Sequence, residues 1–475
     1  MKYSIFTRTG RPLSTSDPGS RRTRPSRSRW LSTAAIATTA GLLLSGCGQE
    51  QGDSNVIDYW MWDTQQLPAY QECADLFEKE NPQYKVNITQ TGWDDYWQRL
   101  TAGFLADTGP DVFVNHVSRY PQYADLEVLM PLDEQEATAG QEESEYAEGL
   151  MDIWTGADGH QYGSPKDWDT IALFYNDTEL KEAGVTPDEL GNLKWNPQDG
   201  GSFEDMVAHL TVDENGVRGD EPGFDKDNVA VYGLGLSDPG GGNSGQGQWG
   251  PFANGAGWEA TDQPLWGTEY NYDDPALHET LDWYFGLSDK GYMPKYGQFN
   301  QDDGTLSQLM SGSVAMVADG SWMVPAYAGS EEFDIGTARM PEGPNGTAPT
   351  VINGLADSIS SDADDPEVAA EWVAFLGSKK CQSVVAEAGV VFPARNDSVA
   401  RTEEIWTEQG FDTSAFTDPV DEGETFYLPI TSHGADVTAL TTPAFQEIWS
   451  DRPPSGEVLD PINGAINDLF LTEEQ

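Results

Sequence analysis

From residue 56 onward the apolar positions switch between two periods. Val56-Ile57-Asp58-Tyr59-Trp60-Met61-Trp62 is rich in β-branched and aromatic residues and reads as a strand. Tyr70, Cys73, Ala74 and Phe77 then recur at helical spacing, which predicts an amphipathic helix beginning near Pro68 and stopped by Asn81-Pro82. Tyr84, Val86 and Ile88 alternate with polar neighbours, a half-buried strand. Tyr96, Trp97, Leu100 and Phe104 mark a second helix, with Asp94 as its expected cap. Gly109-Pro110 is a turn, and Asp111-Val112-Phe113-Val114 a third strand.

Strand, helix, strand, helix, strand predicts parallel βαβ units. Ligands of such sheets sit at the carboxyl ends of the strands. Trp62, Asp63, Trp93 and Asn115 lie at or just beyond those ends and are candidates for ligand contact. Further along, 306–311 reads as helix and 313–317 as strand. Asp365-Pro366 opens a helix carrying Val368, Trp372 and Phe375/Leu376 on one face. Its start is acidic, and Lys379-Lys380 is expected at its end, as the helix dipole favours. Between these regions the Gly-rich run Ser237 to Gly245 lacks the Lys-Ser/Thr of a phosphate-binding loop.

The N-terminus adds a location. A basic stretch ends at Arg29, and an apolar, small-residue run follows to Leu44. This describes a secretory signal, too short and too Ser/Thr-rich for a comfortable membrane span. Residues 48–55 are polar and read as a tether. Net charge sharpens the picture. Residues 1–46 hold eight of the 25 Lys+Arg and one acid, leaving 17 bases against 79 acids beyond them, a net of −62. Such a surface repels nucleic acid and anionic lipid. Its simplest role is solubility. The stretch Asp213-Glu214-Asn215-Gly216, with Asp220, Asp225, Asp227 and Asn228 further on, is calcium-compatible but lacks EF-hand spacing. The cysteines are Cys47, Cys73 and Cys381. An exported chain permits a bridge between Cys73 and Cys381, with two buried free thiols as the alternative. No His/Cys cluster suggests a metal, and no cofactor is implied.

Two resemblances follow from particular residues. Leu44-Ser45-Gly46-Cys47 resembles a bacterial lipobox, which implies lipidation of Cys47 and contact with the membrane through that anchor alone. Six segments resemble, in order, the family 1 extracellular solute-binding proteins of ABC sugar importers, which include the maltodextrin-binding proteins. They are Phe77-Glu78-Lys79-Glu80-Asn81-Pro82, Gly109-Pro110-Asp111-Val112-Phe113, Leu129-Met130-Pro131-Leu132-Asp133, the stretch from Asp158-Gly159-His160 to Tyr175-Asn176, the stretch from Met310-Ser311-Gly312 to Gly320-Ser321-Trp322, and 366–382. The last 80 residues match poorly.

The resemblance implies an α/β, two-lobed periplasmic-binding-protein-like fold with a hinge and an interlobe ligand cleft. Crossings are expected near 166–170, 353–356 and 392–395. The expected organisation is a signal over 1–46, a lipidated tether over 47–55, a first lobe of 56–167 and 354–392, and a second lobe of 168–353 and 393–475. Both Cys73 and Cys381 then fall in the first lobe.

Fifteen of the 16 Trp lie beyond the signal, many beside Gly, Asp or Asn. A flat indole covers the C–H face of a sugar, while carboxylates and amides bind its hydroxyl rim. The expected site adds Asp167, Trp168, Trp258, Asp319 and Trp322 to the strand-end candidates, with Gly354 and Arg395 at crossings. Trp168, Trp258 and Trp322 are the expected stacking platforms; Asp63, Asn115, Asp167 and Asp319 are the expected hydroxyl acceptors. An ion pair is the alternative for Arg395. The expectation is a non-enzymatic, monomeric binding protein that delivers a sugar, the Trp abundance favouring two or more rings, to ABC permease subunits. The competing readings are a secreted glycoside hydrolase and a binder of a cation such as a polyamine. With 80 acids, chance carboxylate pairs carry no weight for a hydrolase, and the five His form no His-Glu-x-x-His cluster. Aromatic and acidic boxes would also suit a polyamine.

Overall fold

A computed structural model describes residues 55–237, 244–299, 304–329 and 334–471. The expected signal, Cys47 and nearly all of the tether lie outside the described residues, as does the centre of the Gly-rich run.

The strands are β1 (Val56–Met61), β2 (Lys85–Gln90), β3 (Val112–His116), β4 (Ser164–Asn176), β5 (Val212–Asp213), β6 (Val229–Leu234), β7 (Val314–Gly320), β8 (Ile335–Ala338), β9 (Thr350–Ile359), β10 (Phe392–Pro393) and β11 (Thr425–Phe426). Among the described residues they join into one eleven-stranded sheet. Its main path runs β2-β1-β3-β9-β4-β7-β6-β5, with β8 and β10 on β4 and β11 on β9.

The N-terminal strands follow the sequence pattern. β1 pairs parallel with β2 and with β3. The intervening helices are Leu67–Glu80, with Pro68 in its first turn, and Trp93–Leu105. The second begins two residues earlier than expected. Gly92 occupies the cap position, and Asp94 falls inside the first turn. Alternation along the strands feeds two cores. Ile57, Tyr59, Met61, Val112 and Val114 pack with the first helix and Trp372, while Trp60 and Phe113 pack with the second helix on the opposite face. A sheet covered by helices on both faces buries nearly every strand position in this way.

A second expectation needs correction. The helix Pro366–Leu376 ends at Gly377, and Lys379-Lys380 opens a new helix, Lys379–Ala388. Ser378 caps that helix by accepting the Cys381 N–H. The lysines therefore stand at a helix start, and Lys380 pairs instead with Glu80.

The middle of the sheet is built from two long strands. All 13 residues of β4 and all ten of β9 are buried. β4 changes partners along its length: Ser164 to Thr170 pair antiparallel with β9, and Ile171 to Asn176 pair with β7 and β8. β9 in turn pairs with β3 through Leu355 to Ile359. β10 lies on β4 with Phe392 opposite Trp168 and Pro393 opposite Asp167. The three stretches expected to cross between lobes thus lie side by side. Beyond them, Trp249, Phe252, Tyr284 and Trp449 belong to a third core. Among the described residues no helix is long and apolar enough to cross a membrane.

Cys73 and Cys381 form a disulfide across 308 residues of chain, tying the helix Leu67–Glu80 to the helix Lys379–Ala388. Both are fully buried. Closing so long a loop restricts the unfolded chain, and a native bridge of this kind contributes about 2–4 kcal/mol. The double variant Cys73→Ala/Cys381→Ala should lose stability of that order in urea titrations. An unchanged midpoint relative to the oxidised protein would show that the bridge contributes nothing.

Candidate functional site

A cleft of about 530 Å³ opens over β4 and β9. Its floor is a matter of strand parity. Asp169 pairs with Asn353 and Asp167 with Leu355 in the β4–β9 ladder. Asp169, Asn353 and Leu355 line the cleft. Trp168 and Gly354 pair with each other one step out of phase, so they look to the other face of the sheet. There Trp168 stacks on Phe392, with ring centroids 4.5 Å apart. A Cβ at Gly354 would fall 2.0 Å from Ile153 Cδ1, so that close approach needs glycine.

The same phase decides β3. His116 pairs with Leu355 and lines the cleft, whereas Asn115 pairs with Ala356 and is fully buried. The Asn115 side chain donates to Ser358 Oγ at 3.2 Å and accepts the His116 N–H at 2.9 Å.

One wall is aromatic. Trp62, just past β1, meets Trp93 edge-on at 5.1 Å and lies 6.2 Å from His116. Trp93 is one of the few large apolar side chains left exposed, at 39%. Burial holds the His116 imidazole far below its ordinary value, at about 3, so the ring is neutral. Its Nδ1 lies 2.8 Å from Ser118 Oγ. Arg119 and Gln66 complete this side. Asp63 also lines the cleft, with its carboxylate accepting the N–H groups of Gln65 at 2.7 Å and Gln66 at 3.2 Å.

Trp322 forms the opposite wall with Ser244 and Gln246. Its indole folds back over Gly320, where a Cβ would sit 1.9 Å from Trp322 Cζ3. Asp319 holds this turn. Its carboxylate accepts from Gly320 N at 2.8 Å, from Tyr327 OH at 2.9 Å and from Thr305 Oγ1. Asp319 lines a small recess of about 80 Å³ that shares Ser244, Gln246 and Trp322 with the cleft. Asp319 does not itself line the main cleft. Leu428 and Thr438 close the far end.

Four candidates from the sequence thus face the cleft: Trp62, Asp63, Trp93 and Trp322. Asp319 stands beside it. Asp167 shares the phase of Asp169 but does not line the cleft: it is buried, and its carboxylate takes the Lys166 ammonium at 2.5 Å. That ammonium also reaches Gln66 Oε1 and lies 4.3 Å from the Tyr70 ring centroid. Arg395 is turned away, in a two-pronged bond to Glu145 at 3.0 Å and a contact with Asp397 at 3.3 Å. Trp258 is 95% buried, with its Nε1 donating to the Asn271 carbonyl at 2.8 Å, and it faces a neighbouring chamber.

In the acidic loop over 213–228, Asp213 and Asp225 bond within the loop, while Asp220 pairs with His209 and Asp227 with Lys295. Asp213 accepts backbone N–H groups from Asn215, Val217 and Asp225. Among the described residues no group of three or more His, Cys, Asp or Glu is placed to hold a metal.

The floor is polar and partly unsatisfied. Asn353 Nδ2 donates to Asp169 Oδ1 and to Gln246 Oε1, both at 2.9 Å. Its Oδ1, buried, has no partner. An orphaned buried acceptor costs about 1–3 kcal/mol until a ligand supplies a donor.

Sequence comparison decides the family. A model described as bacterial extracellular solute-binding protein matches residues 72–413. The chain belongs to this family. Among curated relatives, this solute-binding protein is 25% identical to a maltooligosaccharide ABC transporter solute-binding lipoprotein of Streptococcus pneumoniae, over 79% of this chain and 84% of that one. It is 26% identical to the lactose-binding protein of Rhizobium radiobacter over 167 residues, which span 34% of this chain and 38% of that one. Among solved structures, the GacH receptor of Streptomyces glaucescens superposes with a TM-score of 0.69 at 19% identity, covering 87% of this chain and 98% of that one. Such neighbours are two-lobed binding proteins, and this solute-binding protein has their fold.

Below the cleft, burial pushes the Asp357 carboxyl up to about 7 although Lys166 and a 2.7 Å bond from Tyr59 OH oppose it. Burial likewise pushes Asp319 up to about 6. A carboxyl raised in the folded state holds a proton that the unfolded chain has released. Its contribution is complete below the ordinary carboxylate value of about 4 and is lost as pH climbs through 6 to 7. The urea midpoint should therefore fall between pH 5 and pH 8. Asp357→Asn, which keeps an acceptor for Tyr59, should flatten that slope; an equal slope in the variant would show that Asp357 does not titrate there.

Proposed function

We propose that this solute-binding protein captures a carbohydrate of two or more rings in the cleft between its lobes and hands it to an ABC permease. The observation that carries the reading is the pairing of indoles on facing walls, Trp62 and Trp93 against Trp322, above a floor of Asp169 and Asn353. Aromatic faces suit the C–H surfaces of sugars, and a few convergent polar groups suit their hydroxyls. The names of the relatives support it: maltooligosaccharide and lactose for two of them, and acarbose for the ligand in the GacH receptor complex.

In this reading the lobes are 56–167 with 354–392, and 168–353 with 393–475. They move about the crossing strands β4, β9 and β10. Sugar binds the closed form more tightly than the open form, and that difference drives closure. A lipid on Cys47 holds a monomer at the outer face of the cell membrane, and the cleft performs no chemistry on its cargo. The pneumococcal relative, itself a lipoprotein, supports the anchor.

A thermal-shift screen of residues 49–475 against sugars, polyamines and amino acids tests the reading. At a hundredfold excess over Kd, a ligand adds roughly 2.7 kcal/mol of stability. One sugar family should raise the melting temperature and be recovered intact. Shifts with polyamines alone would sink the carbohydrate assignment, and consumption of the sugar would sink the non-enzymatic one. Trp322→Ala should keep the melting temperature of the ligand-free protein but weaken sugar binding roughly thirtyfold, since truncating a central aromatic anchor typically costs ~2 kcal/mol. Unchanged affinity by calorimetry would remove Trp322 from the site.

A further inference from the structure

A chamber of about 240 Å³ opens beside the cleft, and Ser244 and Leu428 line both. The two spaces are therefore neighbours across one pair of side chains. The chamber repeats the chemistry of the cleft on a smaller scale. Trp249, Trp258, Tyr272 and Phe426 supply aromatic surface. The polar edge of Trp258 is already tied to the Asn271 carbonyl, so what it offers the chamber is hydrocarbon. Glu259, exposed at the rim, brings a carboxylate, and Ala260 is a small side chain on the wall. None of these residues takes part in the floor or walls of the cleft itself.

Size decides what the chamber can take. The cleft, at about 530 Å³, falls within the ~300–1,000 Å³ of pockets that enclose a whole small ligand. The chamber, at about 240 Å³, falls below that range. It suits one further ring attached to a ligand already seated in the cleft, not a second independent ligand.

We infer that this chamber is a subsite for the outer ring of an oligosaccharide, so that the protein selects for chain length as well as for sugar type. The inference rests on the carbohydrate reading given above. The ring enters past Ser244 and Leu428, lies against Trp258, and presents hydroxyls to Glu259.

Calorimetric titration with glucose, maltose, maltotriose and maltotetraose tests it, in the wild type and in Ala260→Leu, which fills the chamber from a wall position outside the cleft. Affinity should rise at least tenfold from the single ring to the longer chains, with one molecule bound per protein. Ala260→Leu should erase that gain and leave the affinity of the shortest bound sugar unchanged. Equal affinity for every length, or a length advantage that survives Ala260→Leu, would overturn the subsite while leaving sugar capture intact. No binding by any of the four would overturn this inference, and the reading beneath it falls with it only if the thermal-shift screen also finds no sugar. Should Ala260→Leu fail to fold, Glu259→Ala at the exposed rim serves instead: it should weaken the longer chains alone, and an even loss across all lengths would contradict the assignment.

Discussion

The antiparallel pairing of β4 with β9 is the constraint on which the rest depends. A strand presents successive residues to opposite faces, so one choice of register sorts every side chain along 164–170 and 352–357. In the observed register Asp169, Asn353 and Leu355 face the cleft, while Trp168 and Gly354 face Phe392 and Ile153. A slip by one residue would place an indole on the floor and bury the hydrogen-bonding groups against an apolar core. β10 and the buried Lys166–Asp167 pair sit on the same ladder. Removing one partner of such a pair leaves an unpaired buried charge, at a cost of about 3–5 kcal/mol.

The legible part of the molecule was the part with local periodicity. The first three strands and two helices stood out because apolar residues repeat every second or every third to fourth position, and the structure places them within a residue or two. Trp62, Asp63 and Trp93 reached the cleft by the strand-end argument alone. Trp322 came from resemblance to a family motif. Asn115, Trp168 and Gly354 failed through parity: each sits one position from a residue that faces the cleft, namely His116, Asp169 and Asn353. Strand phase relative to a ligand is set by the partner strand, and a single sequence does not carry that information. Gln246, Leu428 and Thr438 arrive from distant segments and carry no local signal at all. Trp258 was marked for its composition, but an indole beside a carboxylate looks the same in the sequence whether it faces the cleft or the chamber next to it.

Charge behaves differently at the surface and in the interior. The many exposed acids lie in water and shape solubility. A few carboxyls are carried inward by the sheet, Asp169, Asp319 and Asp357 among them, and burial favours their protonated forms. For Asp169 the hydrogen bond from Asn353 opposes that push. Of the three, Asp169 is the one that lines the cleft.

The decisive measurement is a crystal structure of the protein with the sugar identified by the thermal-shift screen. Sugar density should pack against Trp322, with hydroxyls within hydrogen-bonding distance of Asp169 and of the unpaired Asn353 Oδ1. Ligand density on the opposite face of the ladder, beside Trp168 and Gly354, or away from β4 and β9 altogether, would contradict that placement.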